Sequence, residues 1–296
     1  MSRVTAVSAT VIECALNGPW TRQHQPLIPV SIEECVADGI ACARAGATVI
    51  HVHPYDPQTG RQKDDWEIYA RIIEGIRSQV DVPVYPTIPL GEAGGPALDG
   101  TARYAATEAL AARGLLELAA VDPGSVNFTQ RTGAPGFVYA NPEEHTLHAL
   151  ALMAKYRVVP AYAIYEAGFL RAGAALHSRV PDAPPPVYRF MFSSDFLFGF
   201  PPETWGLEAL LRLKETCAPD APWMVSGLGV DVSGLIADAV RCGGHVRVGL
   251  EDAPLGNTRS NVAWVEHAVG CIERAGGTIA DVATARGLLG LSRRDG

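Results

Sequence analysis

Short apolar runs alternate with amphipathic stretches about eight times along this 296-residue chain. The strand-like runs fall at residues 6–15, 48–53, 82–87, 116–121, 158–165, 187–192, 223–226 and 245–250. Helical signals lie between them. Ser31, with Glu34 three residues later, predicts a capping box opening a helix to Arg44, and Gly46 predicts its stop. Over 64–79, Trp66, Tyr69, Ile72, Ile73 and Ile76 recur at helical spacing. Asn141-Pro142-Glu143-Glu144 places a cap, a first-turn proline and two acids at another helix start. Strands alternating with helices of this length predict parallel βαβ units. Eight of them predict an α/β fold, a single (β/α)8 TIM barrel over residues 1–296 with its active site at the C-terminal ends of the strands. A doubly wound open sheet is the alternative, disfavoured because no GxGxxG follows the first strand. Segments 17–30 and 180–186 look like excursions from this frame. The first follows a strand's C-terminal end and is placed to cover the site; the second reads as a surface connection.

Composition narrows the partners. The net charge is −8, charged residues make up 19% of the chain, and no basic cluster occurs. That balance argues against nucleic acid or an anionic membrane as a partner. With only three lysines, arginine must supply most of any anion pocket. No run approaches the ~20 apolar residues of a membrane span, and the start Met1-Ser2-Arg3 lacks a signal peptide's apolar core. The cysteines, at 14, 35, 42, 217, 242 and 271, form no CxxC pair, and read as buried reduced thiols. These features together predict a cytoplasmic protein.

Chemistry enters with His51-Val52-His53, at the end of the second predicted strand. Residues two apart on a strand share a face, so both imidazoles project together. Pro54 has no amide hydrogen and stops the strand. Glu251 and Asp252 follow the last predicted strand and would emerge at the same rim. Two histidines and Glu251 fill three positions around Zn2+ and leave one open, as a catalytic site requires; Asp252 remains for proton transfer. Arg247, four residues before Glu251, shares its strand face and would hold either acid ionised or bind a substrate carboxylate. Thr87, Ser125 and Asn127 are small polar groups near strand ends, suited to orienting a carbonyl or carboxylate. Each signal has a plainer alternative: a hydrogen-bonded strand end for the histidines, a helix-start turn for Glu251-Asp252, a salt bridge for Arg247. Joint placement at one rim favours the metal. His145, His148 and His267 fall on helical stretches and are read as surface or core residues.

The stretch Ala45-Gly46-Ala47-Thr48-Val49-Ile50-His51-Val52-His53, followed by Asp56-Pro57-Gln58-Thr59-Gly60-Arg61, resembles the β-keto acid cleavage enzymes. A second match is Gly243-Gly244-His245-Val246-Arg247-Val248-Gly249-Leu250-Glu251-Asp252, followed by Ser260-Asn261. Weaker agreement surrounds residues 124–128, 223–229 and 283–289, so the similarity runs the length of the chain. The resemblance implies a barrel, a zinc ion, a homotetramer, and reaction of a β-keto acid with acetyl-CoA to give acetoacetate and a new acyl-CoA. It implies His51, His53 and Glu251 as zinc ligands, Asp252 as catalytic base and Arg247 as its support. It also places Thr87 and Ser125 at keto-acid-binding positions. The chain departs from the family where Tyr55 and Val230 replace common arginines, and where Trp20 stands near an expected acid. These changes lie where substrate or CoA would bind, and lean towards a neutral or apolar side group on the substrate. Two other functions remain open at this point: a zinc-dependent hydrolase on the same barrel, and a diverged metal-binding homologue without activity.

Overall fold

The computed structural model describes residues 9–56, 58–89, 98–133 and 135–293. Eight parallel strands form its sheet: β1 (Ile12–Ala15), β2 (Val49–Val52), β3 (Val84–Pro86), β4 (Leu118–Val121), β5 (Val159–Ile164), β6 (Val187–Phe192), β7 (Trp223–Gly227) and β8 (His245–Val248). Their order is β3-β2-β1-β8-β7-β6-β5-β4, so sequence neighbours are spatial neighbours and the first and last strands pair. The two ends of this order, β3 and β4, also approach one another. The result is the predicted (β/α)8 barrel.

Six of the eight strands are shorter than their apolar runs; β6 matches its run and β7 extends one residue past it. Residues 6–8 of the first run, and Met1-Ser2-Arg3 before it, lie outside the described residues. β8 ends at Val248 because Gly249 takes φ 130°, and a Cβ there would stand 2.2 Å from the carbonyl oxygen of Ala15. Only glycine passes that point, and the turn it makes carries Glu251 and Asp252 over the barrel mouth. β3 stops at Pro86, leaving Thr87 just beyond it.

Ser31 and Glu34 form the expected capping box on the helix Ile32–Ala45, and Gly46 closes it. Trp66–Arg77 is the second expected helix, capped by Asp65. The third, Glu143–Tyr156, differs at its start: Pro142 holds the cap position, and no side chain caps it. Asn141 instead donates from Nδ2 to the Gly124 carbonyl, and its amide donates to Ser125 Oγ. Cys14, Cys35 and Cys42 are buried as expected, whereas Cys217 and Cys271 are partly exposed and Cys242 is exposed. All six are free thiols. Among the described residues, no helix is long and apolar enough to cross a membrane.

Two features escaped the periodicity. Antiparallel hairpins follow β2 (Tyr55–Asp56 with Arg61–Gln62) and β4 (Val126–Phe128 with Phe137–Tyr139). Both sit at the C-terminal end of the barrel. The excursion 17–30 joins them there, stapled by Asn17, whose Nδ2 donates to the carbonyls of Pro29 and His53 while its Oδ1 accepts the His53 amide. Arg22 grips both oxygens of Glu34 at 2.7 Å, which holds that carboxyl down at about 2.

On β8, His245 is buried and its Nδ1 accepts the amide of Val11 at 3.3 Å. Burial pushes its imidazole down to about 4, below the ~6.5 of an unfolded chain. Between these values the unfolded state binds more protons, so stability should fall as pH drops from ~6.5 to ~4 and level off below. Urea midpoints of the wild type and His245→Gln across that range should differ in slope by about one proton; parallel curves would contradict it.

Candidate metal and acid–base site

β2 delivers His51 and His53 to one face, with ring centroids 5.2 Å apart and planes nearly perpendicular. The Gly249 turn brings Glu251 between them: Oε2 lies 3.3 Å from His51 Nε2 and 3.4 Å from His53 Nε2. Gly18 makes room, since a Cβ on it would stand 2.6 Å from Glu251 Cγ. All three donor atoms lie within 4.8 Å of one another. His53 Nε2 and Glu251 Oε2 are buried without hydrogen-bond partners. Orphaned buried polar atoms are costly, and two donors each ~2.0–2.1 Å from one tetrahedral zinc stand about 3.3 Å apart. The donor set and its spacing therefore fit a divalent cation such as zinc.

The imidazoles are prepared for that role. Burial pushes His51 well below its ordinary value, more than the nearby Glu251 carboxylate raises it, so the ring is neutral and offers a lone pair. His51 packs against Tyr85 at 4.5 Å. His53 Nδ1 sits 2.8 Å from Gln62 Oε1. An amide oxygen only accepts, so Nδ1 carries the proton and Nε2 is left free toward Glu251. Gln62 is itself held by Asp64, to which its Nε2 donates at 2.9 Å.

Beneath these donors lies Arg247, 1% exposed. Its Nε and Nη2 grip both oxygens of Asp252 at 2.8–3.2 Å. Nη2 also meets Glu251 Oε1 at 2.7 Å, and Nη1 reaches Glu13 Oε1 at 3.2 Å. Register explains the last contact, because Glu13 and Arg247 are paired across β1 and β8. Burial alone would raise Glu251, but Arg247 and the two imidazoles outweigh it and hold the carboxyl well below its usual range. Asp252 goes the other way. Burial, helped by Glu251 and Glu13, overcomes Arg247 and lifts it to about 6.

A cavity of about 260 Å³ opens beside these groups. His51, His53, Glu251 and Arg247 line it, as do Thr87 and Trp20 from the sequence-based candidates. Trp20 is fixed there by Nε1, which donates to the Glu251 carbonyl at 2.8 Å. Four candidates lie elsewhere. Asp252 sits against Arg247 rather than on the cavity wall. Tyr55 is buried under the 17–30 segment, its hydroxyl donating to the carbonyls of Gly18 and Trp20. Ser125 is spent on the Asn141 amide, and Asn127 is an exposed hairpin residue. The fourth strand instead contributes Ala120 and Asp122, and β6 contributes Arg189. Arg189 had a visible signal, an arginine inside the apolar run Val187–Phe192; Asp122, one residue past β4, had the same strand-end position that singled out Glu251.

The sequence profile of the beta-keto acid cleavage enzyme family matches residues 9–291. This chain belongs to that family. A 3-oxoadipate:acetyl-CoA acetyltransferase of Cupriavidus necator is 28% identical over 95% of this chain and 94% of its own length. A 3-dehydrocarnitine:acetyl-CoA trimethylamine transferase of Rhizobium meliloti is 28% identical over 96% and 97%. Among solved structures, ObcA in complex with oxaloacetate superimposes with a TM-score of 0.70, covering 90% of this chain and 68% of that one. At 15% identity that likeness shows the shared barrel.

Gln62→Ala should weaken zinc binding about 10–100-fold, the usual effect of removing such an outer partner, without loss of the fold. Competition with a chromogenic chelator measures it; unchanged affinity would remove Gln62 from the site's architecture.

Proposed function

We propose that this barrel enzyme joins a β-keto acid to acetyl-CoA and releases acetoacetate and a new acyl-CoA by a retro-Claisen route. The observation that carries the reading is the Arg247 guanidinium, which holds Glu251 beside the paired histidines and Asp252 behind them in a chain of this family. His51, His53 and Glu251 would hold zinc, which would supply Lewis-acid polarisation of the keto group. Thr87 and Trp20 border the bound acid, and Ala120, Asp122 and Arg189 complete its surroundings.

Asp252 is the base. Its elevated affinity for protons suits it to abstraction near neutral pH, whereas Glu251 is too weakly basic. As substrate settles against Arg247, the guanidinium turns part of its fork toward the substrate carboxylate and releases an oxygen of Asp252. Asp252 takes a proton from the carbon between the two carbonyls. That carbon attacks the acetyl thioester and expels CoA thiolate; the thiolate adds to the original keto carbon. Cleavage of the old carbon–carbon bond leaves acyl-CoA and the carbanion of acetoacetate, which recovers the proton from Asp252. No covalent enzyme intermediate is needed, consistent with the lack of a Ser-His or Cys-His pair among the site residues. Tyr55, Ser125 and Asn127 act on the loops that frame the cavity. We take residues 1–296 as one barrel domain working as a cytoplasmic homotetramer, on the strength of the family resemblance.

A zinc-dependent hydrolase is the competing reading, and acetyl-CoA labelled in its acetyl carbons separates the two. Label should appear in acetoacetate and be absent from the new acyl-CoA. Unlabelled products formed without CoA would instead show hydrolysis. Asp252→Asn should lower kcat about 10²–10⁴-fold while zinc content, read by elemental analysis, is unchanged; full activity would dismiss Asp252 as the base.

A further inference from the structure

The cavity walls beyond the three donors are largely aromatic. Phe128 lies at the hub, its ring 5.2 Å from Tyr165, 5.1 Å from Phe137 and 5.6 Å from Phe196. Phe196 continues the wall to Trp20, stacked at 6.3 Å. Met191 and Leu228 add aliphatic surface, and Ala120 and Ala163 leave space between the larger side chains. Most of these groups come from the second hairpin and the ends of β5 and β6, so the wall is built by elements separate from those that carry His51, His53 and Glu251.

Two charges interrupt this surface, and they oppose one another. Arg189 gives Nη1 to the Tyr85 hydroxyl at 3.1 Å and Nη2 to the Ala161 carbonyl at 2.9 Å. The same Nη2 stands 4.0 Å from Asp122 Oδ1, and Asp122 Oδ2 accepts the Tyr139 hydroxyl at 2.6 Å. Each charge is thus engaged by the protein, although Arg189 Nε and Asp122 Oδ1 have no hydrogen-bond partner. A carboxylate on the substrate's side group would lose its water and meet Asp122 and Glu251 as well as Arg189; an ammonium would meet Arg189 and Arg247 as well as Asp122. Either charge would be desolvated against the rings beside a like charge, and a desolvated charge that is not fully paired is expensive. Trp20 adds an uncharged ring to the wall, and Tyr55 anchors the loop that carries it.

We infer that the β-keto acid taken by this site carries an uncharged, apolar side group of about ring size, a phenyl or a branched alkyl, seated on Trp20, Phe128, Tyr165 and Phe196 beside Met191. This rests on the β-keto acid reading above. A cavity of about 260 Å³ is smaller than the ~300–1,000 Å³ of drug-sized sites. It holds the acid with such a group and the acetyl end of CoA, and leaves the nucleotide outside.

Titration calorimetry on the purified protein without acetyl-CoA tests the side group apart from the reaction. The ligands are freshly prepared β-keto acids bearing phenyl, isobutyl, carboxyethyl, aminoalkyl or trimethylammonium groups. The phenyl or isobutyl acid should bind at least about tenfold tighter than any charged one. Tighter binding of a carboxylate or ammonium acid overturns the inference, and so does failure of both apolar acids to bind. Preference for the trimethylammonium acid would mean that the rings serve as a cation cage, which also overturns it. In Leu228→Arg the ranking should shift about tenfold toward the carboxyethyl acid; an unchanged ranking would show that this wall does not face the side group. If the apolar acids bind best yet no acetoacetate forms with acetyl-CoA, the transfer reaction fails and the side-group assignment stands.

Discussion

One buried guanidinium organises the mouth of this barrel. Arg247 meets Asp252 through a two-pronged grip, Glu251 through Nη2 and Glu13 through Nη1. A single cation facing three buried carboxyl groups is undercompensated. Such an arrangement is stable only if geometry is near ideal or further positive charge is nearby. A divalent cation at His51, His53 and Glu251 would supply that charge where the orphaned atoms stand. The same imbalance accounts for the opposite behaviour of two adjacent acids. Glu251, flanked by the guanidinium and two imidazoles, is driven to the anion, while Asp252 is raised by burial and by its carboxylate neighbours.

The backbone serves this arrangement. Parallel pairing of β1 with β8 puts Glu13 opposite Arg247, and pairing of β1 with β2 and β2 with β3 sets Ala15, His51 and Tyr85 in a row. Gly249 turns the chain so that Glu251 reaches the histidines, and Gly18 lets the 17–30 segment close over it. Asn17 and Tyr55 tie that segment to the end of β2 and the hairpin after it. Arg247, Glu13, His51 and Tyr85 are therefore held by sheet register, which is rigid, and the aromatic wall of the cavity largely by loops and hairpins, which tolerate change. Within one family, the first can stay constant while the second is rewritten for a different substrate.

The barrel and the meeting of His51, His53 and Glu251 were legible in the sequence because each follows from a short-range rule. Alternation of apolar runs with helical spacing set the strand count, and the period of two along β2 put His51 and His53 on one face. Glu251 was reachable by topology, since the last strand of a barrel closes beside the first, which pairs with the second. The wall of the cavity was not legible. Hairpins of two or three residues per strand leave no periodic trace, so Phe128, Phe137 and Tyr139 fall outside every predicted element. Ser125 and Asn127 are polar residues after a strand, the kind that often face a site, but a tight turn there spends Ser125 on the Asn141 amide and leaves Asp122 on the cavity. Tyr55 was singled out for its position after His53; its hydroxyl points into a loop that the sequence alone does not place.

The most direct test of this account removes the guanidinium while keeping its length. Chemical unfolding of Arg247→Met should show a loss of about 3–5 kcal/mol relative to the wild type when both are metal-free, and saturating zinc should restore much of that loss by supplying positive charge to the same carboxylates. A metal-free Arg247→Met protein as stable as the wild type, with no gain on adding zinc, would contradict the claim that this one cation holds the site together.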